Sequence, residues 1–141
     1  KVIVDPKWQD LASYPEGHLC LSIHGMFRVP TRVLERFRYG GINVHPFYTK
    51  YPGRDPVGRA LKAGEKAVDV TAHTMEAVLD RGEVVAMAAG VMPRSPDPSR
   101  PPSVEEVYNA ILPLYVEVVT MALGMIAERI AQEVRNVPGR V

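Results

Sequence analysis

The chain has 141 residues, a formal net charge of +1, and 46% hydrophobic and 23% charged residues. This length and composition fit one globular domain, predicted to span residues 1–141. The near-neutral charge argues against a nucleic-acid partner or an anionic membrane surface. A single cysteine, Cys20, excludes an internal disulfide, and the absence of a signal-peptide pattern favours a cytoplasmic location. The longest apolar stretch contains Pro113 and Glu117, which argues against a membrane span.

The N-terminal part is predicted to alternate between short strands and a helix. Residues 19–23 are apolar on both faces, as expected of a central parallel strand. Pro30 suits the first turn of a helix, and Gly40 with Gly41 ends it. In chain order, the predicted elements are a strand at 2–4, a strand at 19–23, a helix from Thr31 to about Arg38, and a strand at 42–44 that ends at His45-Pro46.

The rest of the chain is predicted to add two strands and a long helix. Val68, Val70 and Ala72 alternate with polar residues, as in a half-buried strand. Ser103 and Glu106 have the spacing of a capping box. The predicted elements are a helix at 57–62, strands at 67–75 and 83–91, a proline-rich connection at 92–102, and a C-terminal helix at 103–136 bent by Pro113. This order predicts an α/β fold of three layers, with a mostly parallel sheet and helical cover.

The candidate chemistry begins at Asn43 and His45, two residues apart at a predicted strand end. Such residues project to the same side of a strand. Ligands of open α/β sheets bind at the carboxyl ends of the strands. An amide can stabilise a developing oxyanion while an imidazole moves protons, so this pair suits acyl transfer.

A series of motifs extends this pattern along the chain. They are Asn43-Val44-His45-Pro46, residues 51–56 (YPGRDP), Gly64-Glu65-Lys66, Val70-Thr71-Ala72-His73, and residues 79–85 (LDRGEVV). In this order they resemble the folate-dependent formyltransferases, a family that includes glycinamide ribonucleotide transformylase, methionyl-tRNA formyltransferase, sugar N-formyltransferases and formyltetrahydrofolate deformylase. The likeness covers about residues 19–91. It implies a formyltransferase-like, truncated nucleotide-binding-type fold, because the family has a longer N-terminal half than the segment preceding Asn43 here.

The resemblance also implies roles for individual residues. Asn43 would bind the formyl oxygen, His45 would act as acid or base, and Asp80 would hold His45 in its working protonation state. Gly53 and His73 would line the acceptor side of the site. The residues implied to bind the folate are Met26, Phe27, Arg28, Val29, Met75, Glu76 and Leu79.

The implied reaction is formyl transfer from 10-formyltetrahydrofolate to a primary amine of a small acceptor, with no metal. Two alternatives remain open at this point. One is hydrolysis of 10-formyltetrahydrofolate to tetrahydrofolate and formate, since Thr71-Ala72-His73 resembles the deformylase version. The other is a non-catalytic remnant that binds folate or a partner. An incomplete sheet would favour a homo-oligomer or a second chain that completes it.

Overall fold

The computed structural model of the chain describes residues 16–25, 28–76 and 82–136. The predicted strand at 2–4 lies outside these residues. The described elements are β1 (Cys20–Ile23), α1 (Thr31–Leu34), β2 (Gly41–Pro46), α2 (Pro56–Lys62), β3 (Ala67–Thr74), β4 (Val84–Val91), α3 (Val104–Ala110) and α4 (Leu112–Arg135).

The four strands form one sheet in the order β1-β2-β3-β4. The α/β class is confirmed, but the sheet is mixed rather than mostly parallel. β1 pairs with β2 in parallel, whereas β2 with β3 and β3 with β4 are antiparallel. The segment between Thr74 and Val84 is too short for the crossover that a parallel pair needs. Within the described residues β1 has only β2 as a neighbour, so the expected central position is not observed.

One face of the sheet is apolar and carries the main core. Its strand side chains are almost fully buried: Ile42, Val44, Val68, Val70 and Ala72. The helices pack on this face with Val107, Ile111, Tyr115, Val118 and Ala122, which belong to the same hydrophobic cluster. Burying each such valine or isoleucine contributes about 1.5–3 kcal/mol.

The opposite face of the sheet meets α1 at Gly41. A Cβ at Gly41 would lie 2.6 Å from Cδ2 of Leu34, so a larger residue there would have to push the Leu34 side chain aside. Because side chains alternate along a strand, Gly41 shares its face with Asn43. The single turn of α1 therefore meets the sheet on the side of Asn43, while the C-terminal helices cover the other face.

α1 is shorter than the predicted helix to about Arg38. It ends at Leu34, because the chain that follows turns and pairs with a segment near the start of β1. Phe37 forms a bridge with Gly17, and the amide of Arg38 donates to the carbonyl of Gly17 over 3.0 Å. The amides of Arg36 and Phe37 still bond within the local turn, whereas those of Arg38 and Tyr39 bond to Gly17 and His18, so the helix does not continue.

The C-terminal helix is split in two, as the proline suggested. The predicted capping box is present: the Ser103 hydroxyl accepts from the amide of Glu106, whose carboxylate accepts from the amide of Ser103. α3 and α4 meet at Ile111, two residues before Pro113, with a bend of 49°. Among the described helices none is long and apolar enough by itself to cross a membrane, and only this bent pair meets the length and composition when the two are joined.

Candidate active site

Five polar side chains share the face of the sheet that is opposite α4. The register pairs Asn43 with His73 and His45 with Thr71 across β2 and β3. Asp69 precedes Thr71 by two residues and so lies on the same face. β2 continues through Pro46, so His45 is part of the strand and is not where it stops. Alternation in the sequence correctly grouped Asn43 with His45, and Asp69 with Thr71 and His73, and the strand register brings the two groups to one face.

Asn43 and His73 are in direct contact. Nδ2 of Asn43 lies 3.4 Å from Nε2 of His73, and Nδ1 of His73 lies 2.9 Å from the carbonyl oxygen of Thr74. Because a carbonyl only accepts, Nδ1 of the imidazole donates, and Nε2 of the neutral ring accepts from the amide. His73 thereby fixes the orientation of the Asn43 amide. Within the described residues the second hydrogen on Nδ2 has no protein acceptor, so it can donate to a substrate oxygen.

His45 is held by the loop that follows β2. Its Nε2 donates to the carbonyl oxygen of Gly53 over 3.3 Å, which places a proton on that nitrogen. Gly53 has a φ of 84°, a conformation that L side chains rarely adopt, in line with the close backbone approach expected there. The Oδ1 atom of Asn43 is buried and accepts no hydrogen bond within the described residues.

Tyr48 is a site residue that the sequence reasoning missed. Its ring stacks on His73 with centroids 4.0 Å apart, and its hydroxyl donates to the carbonyl oxygen of Gly82 over 2.6 Å. A Cβ at Gly82 would lie 1.7 Å from the carbonyl oxygen of Thr74, so this position requires glycine. Tyr48 thus links β2, β3 and the start of the segment leading into β4. Tyr48 lies in a loop, where no periodic pattern in the sequence indicates which way a side chain points.

Asp80, the third predicted catalytic residue, lies outside the described residues, as do Met26, Phe27 and Leu79. Gly82 follows Asp80 by two positions and is the residue that Tyr48 holds at the site. The flanks of the intervening segment are tied together, since the amide of Thr74 donates to the carbonyl of Glu83 over 2.8 Å. The contact between His45 and Asp80 therefore stays a prediction.

The remaining residues expected to bind folate lie at two places. Arg28 is exposed and Val29 half-buried, after the end of β1. Met75 follows β3; its amide donates to the carbonyl of Gly41 over 2.8 Å, while Glu76 is exposed and accepts from the Thr74 hydroxyl over 3.2 Å. Their role in binding a ligand stays a prediction.

The loop from Phe47 to Asp55 is braced by a second cluster of charges. Nη2 of Arg59 donates to the carbonyl oxygens of Tyr51 and Pro52 over 2.6 and 2.7 Å. Glu65 accepts from the Tyr51 hydroxyl over 2.6 Å and pairs with Lys50. These two partners, Lys50 first, lower the pKa of the Glu65 carboxyl. The brace fixes the backbone that presents Gly53 to His45.

Asp69 is the described carboxylate on the face of His45. Its Oδ1 accepts a hydrogen bond from the hydroxyl of the fully buried Thr71 over 3.1 Å. Burial raises the pKa of the Asp69 carboxyl, opposed by the Thr71 hydrogen bond and by the charge of His45. Within the described ranges, no group of three or more His, Cys, Asp or Glu side chains is arranged to hold a metal ion.

Comparison with known proteins defines the class. A sequence model of the formyl transferase family matches residues 19–99, more than half of the chain. Methionyl-tRNA formyltransferase of Colwellia psychrerythraea is 35% identical over 81 residues, covering 57% of this chain and 24% of the relative. Phosphoribosylglycinamide formyltransferase of Bacillus subtilis is 41% identical over 54 residues, covering 36% of this chain and 28% of the relative. The chain belongs to the formyl transferase family.

Solved structures agree on the fold. Glycinamide ribonucleotide transformylase 1 of Symbiobacterium toebii superposes with a TM-score of 0.62 at 27% identity, over 73% of this chain and 46% of that protein. HypX of Aquifex aeolicus, solved in complex with tetrahydrofolic acid, has the same fold with a TM-score of 0.59 at 20% identity, over 78% of this chain and 18% of that protein. The chain thus spans about a quarter of the curated relatives and about half of the transformylase.

Proposed function

We propose that this chain carries the reaction centre for formyl transfer from 10-formyltetrahydrofolate to a primary amine of a small acceptor. Asn43, His45 and Asp80 are its proposed catalytic residues. The observation that supports this most is the hydrogen-bond chain from Thr74 through His73 to Asn43, because it orients an amide donor on the same face as His45. Membership of the formyl transferase family supports the reaction class.

The proposed role of Asn43 is to stabilise charge. When the amine attacks the formyl carbon, the carbonyl oxygen becomes an oxyanion in a tetrahedral adduct. The Nδ2 hydrogen that His73 does not use can donate to that oxygen. A single donor of this kind accelerates acyl transfer about 10²–10³-fold in comparable sites.

The proposed role of His45 is to move a proton. The attacking amine forms a C–N bond with its lone pair and has to lose one proton. The bond from the formyl carbon to the folate nitrogen breaks, and that nitrogen has to gain one. His45 carries a proton on Nε2 near Gly53 and can exchange it at this point, so the proton balance closes without a metal.

The folate is proposed to contact the segments around Met26–Val29 and Met75–Leu79. Two described residues support this: the amide of Met75 bonds to Gly41, next to Asn43 on the strand, and Val29 directly precedes the turn into α1. Binding of tetrahydrofolic acid by HypX, a relative in fold, supports this class of ligand.

Hydrolysis of the same donor is the second candidate. The hydrogen-bonded pair of Asp69 and Thr71 places polar oxygens beside His45, where a water could be ordered in place of an amine. Water would then attack the formyl carbon and release formate.

The test uses the full chain with 10-formyltetrahydrofolate, alone and with a panel of primary amines, and follows release of tetrahydrofolate. We expect turnover only when an amine is present, and loss of turnover in His45→Ala. His18→Ala, which changes a histidine stacked on Tyr39 away from the site, should keep the parent rate. Turnover without amine would favour the hydrolase, and no turnover under either condition would favour a binding module.

A further inference from the structure

A carboxylate that the family resemblance did not single out lies next to His45 in the sheet. His45 and Thr71 are direct partners across β2 and β3, and Asp69 is two residues along on the same face. The amide of Phe47 donates to the carbonyl oxygen of Asp69 over 3.0 Å, which continues the pairing to this point. Diagonal neighbours of this kind lie about 7–8 Å apart at the backbone, within reach of side-chain electrostatics.

The surroundings of Asp69 keep the interaction with His45 from being screened. Asp69 is only partly exposed, and Thr71 is completely buried. The Thr71 hydroxyl donates to Oδ1 of Asp69 over 3.1 Å and holds the carboxylate on this face. Charges in partly desolvated sites interact more strongly than those on an open surface. In agreement, the charge of His45 lowers the pKa of the Asp69 carboxyl, against the larger effect of burial.

The β2–β3 register brings the carboxylate of Asp69 to the face of His45. The strand on the far side of β3 presents only uncharged residues opposite Asp69 and Thr71. The groups that contact His45 or its neighbours, or are paired with them in the sheet, include Asn43, Tyr48, the carbonyl of Gly53, Asp69, Thr71, His73, Met87 and Ala89. Asp80, the carboxylate that the family resemblance assigns to His45, lies outside the described residues.

We propose that Asp69 is a positioning residue of the reaction centre, whose carboxylate favours the imidazolium form of His45. An imidazolium can deliver a proton to the folate nitrogen as the C–N bond breaks. The catalytic part of this inference rests on the proposed function, whereas the electrostatic coupling of Asp69 to His45 does not. Asp69 is therefore a second carboxylate acting through His45, in addition to the role proposed for Asp80.

The direct test is an NMR titration of the histidine ring protons in the parent and in Asp69→Asn. Removing the negative charge should move the His45 midpoint to lower pH, because an adjacent carboxylate favours the cation. His18 and His24 lie away from Asp69 and serve as internal references. Glu117→Gln, on α4 across the sheet, is the matched loss of one carboxylate and should leave His45 unchanged. The proposal would be overturned if, in Asp69→Asn, the titration midpoint of His45 moved no more than those of His18 and His24.

The reciprocal measurement covers the case in which Asp69→Asn does not fold. The chemical shift of the Asp69 carboxyl carbon is followed against pH by NMR in the parent and in His45→Gln. Since the His45 cation stabilises the carboxylate, its loss should move the Asp69 midpoint to higher pH. An unchanged Asp69 midpoint would contradict the coupling even without the first variant.

The kinetic test separates this proposal from the proposed function. In Asp69→Asn the basic limb of the pH profile of kcat should move to lower pH, in parallel with the titration midpoint of His45. Asp69→Glu should return that limb to its parent position. A shifted His45 midpoint in a protein without turnover would leave the coupling intact and count against formyl transfer. If Asp69→Asn turns over and the basic limb of its pH profile does not shift, formyl transfer stands and Asp69 has no role in it.

Discussion

At the scale of single residues, the site depends on hydrogen bonds that fix the tautomer of the His73 imidazole. The carbonyl of Thr74 fixes the proton of His73 on Nδ1, and this makes Nε2 an acceptor for the Asn43 amide. Tyr48 stacks on the same ring and limits its rotation. A donor held in place before the reaction needs no reorganisation when charge develops, which is the reason that such contacts accelerate acyl transfer.

This arrangement predicts that His73 acts through Asn43. In His73→Phe the ring can still stack on Tyr48, but the amide loses its acceptor. We expect kcat to fall roughly 10–100-fold with little change in KM, since orientation is lost and binding is not. Steady-state kinetics of His73→Phe, Asn43→Ala and the double variant would measure this.

The double variant is the control for that prediction. If His73 works by orienting Asn43, the second substitution adds little to the first, because residues that share one interaction are not additive. Additive losses would mean that the two residues contribute separately. His18→Phe, a like change away from the site, should leave kcat at the parent value.

The sequence predicted well which side chains share a face of the sheet, because side chains alternate regularly along a strand. Alternation along β3 correctly assigned Asp69, Thr71 and His73 to one face, and Asn43 and His45 fall on that face as well. It missed Tyr48, because a loop side chain can point anywhere until the tertiary structure forms. The significance of Asp69 was also missed: its face could be predicted from alternation, but its distance from His45 depends on the β2–β3 register.

At the scale of elements, the loop between β2 and α2 decides where Gly53 lies. α2 begins after Asp55, whose carboxylate accepts from the amide of Gly58 over 3.1 Å and so caps the helix. From the last turn of α2, Arg59 reaches back to the carbonyls of Tyr51 and Pro52. The helix therefore acts as the fixed support of the loop.

Arg59→Lys is predicted to loosen this support. The lysine side chain ends one atom short of Nη2, so its ammonium would not sit where Nη2 bonds both Tyr51 and Pro52, and it lacks the Nε–H that donates to the carbonyl of Asp55. The Gly53 carbonyl would shift from His45, and kcat/KM should fall about 10–100-fold, because small displacements at a reaction centre are costly. Arg54→Lys changes an exposed arginine of the same loop and should keep the parent kcat/KM. Because both substitutions keep the charge, equal losses in the two variants would contradict a specific role of the Arg59 hydrogen bonds.

Element boundaries were predicted less evenly. β3, β4, α2 and the capping box of α3 are close to the predicted positions, since each has a periodic pattern or a local end signal. α1 was predicted too long, because the bridge between Gly17 and Phe37 is a long-range contact that no local pattern reveals. β2 was predicted too short, because Pro46 suggested an end although it is still paired with Val70.

At the scale of the whole molecule, carboxylates tie distant segments together. Glu133 near the end of α4 accepts from the Tyr39 hydroxyl over 2.7 Å and pairs with Arg38 over 2.8 Å. Arg100 in the proline-rich connection pairs with Glu106 of α3 over 2.7 Å. The pKa of each of these carboxyl groups is lowered by its partner, Tyr39 for Glu133 and Arg100 for Glu106. The fold should therefore lose stability in acid.

Glu106 allows this to be measured. The Arg100 pair and the Ser103 amide lower the pKa of Glu106 from 4.5 to about 2. A lowered folded-state pKa stabilises the fold above the unfolded value, and this contribution is lost as the pH falls from about 4.5 towards about 2. The melting temperature of Glu106→Gln should therefore fall less over that range than that of the parent. Glu105→Gln, outside the Arg100 pair, should follow the parent curve.

The position of β1 has a consequence for how ligand binding could be detected. β1 is four residues long, is bonded only to β2 within the described residues, and leaves Leu21 and Ile23 exposed at 37% and 52%. A short strand held on one side opens by local fluctuation more easily than the core does. Its amides should then exchange with deuterium faster than those of β3. Because β1 leads directly into residues 26–29, a folate held there would slow that exchange and report its own binding, even in a variant that cannot turn over.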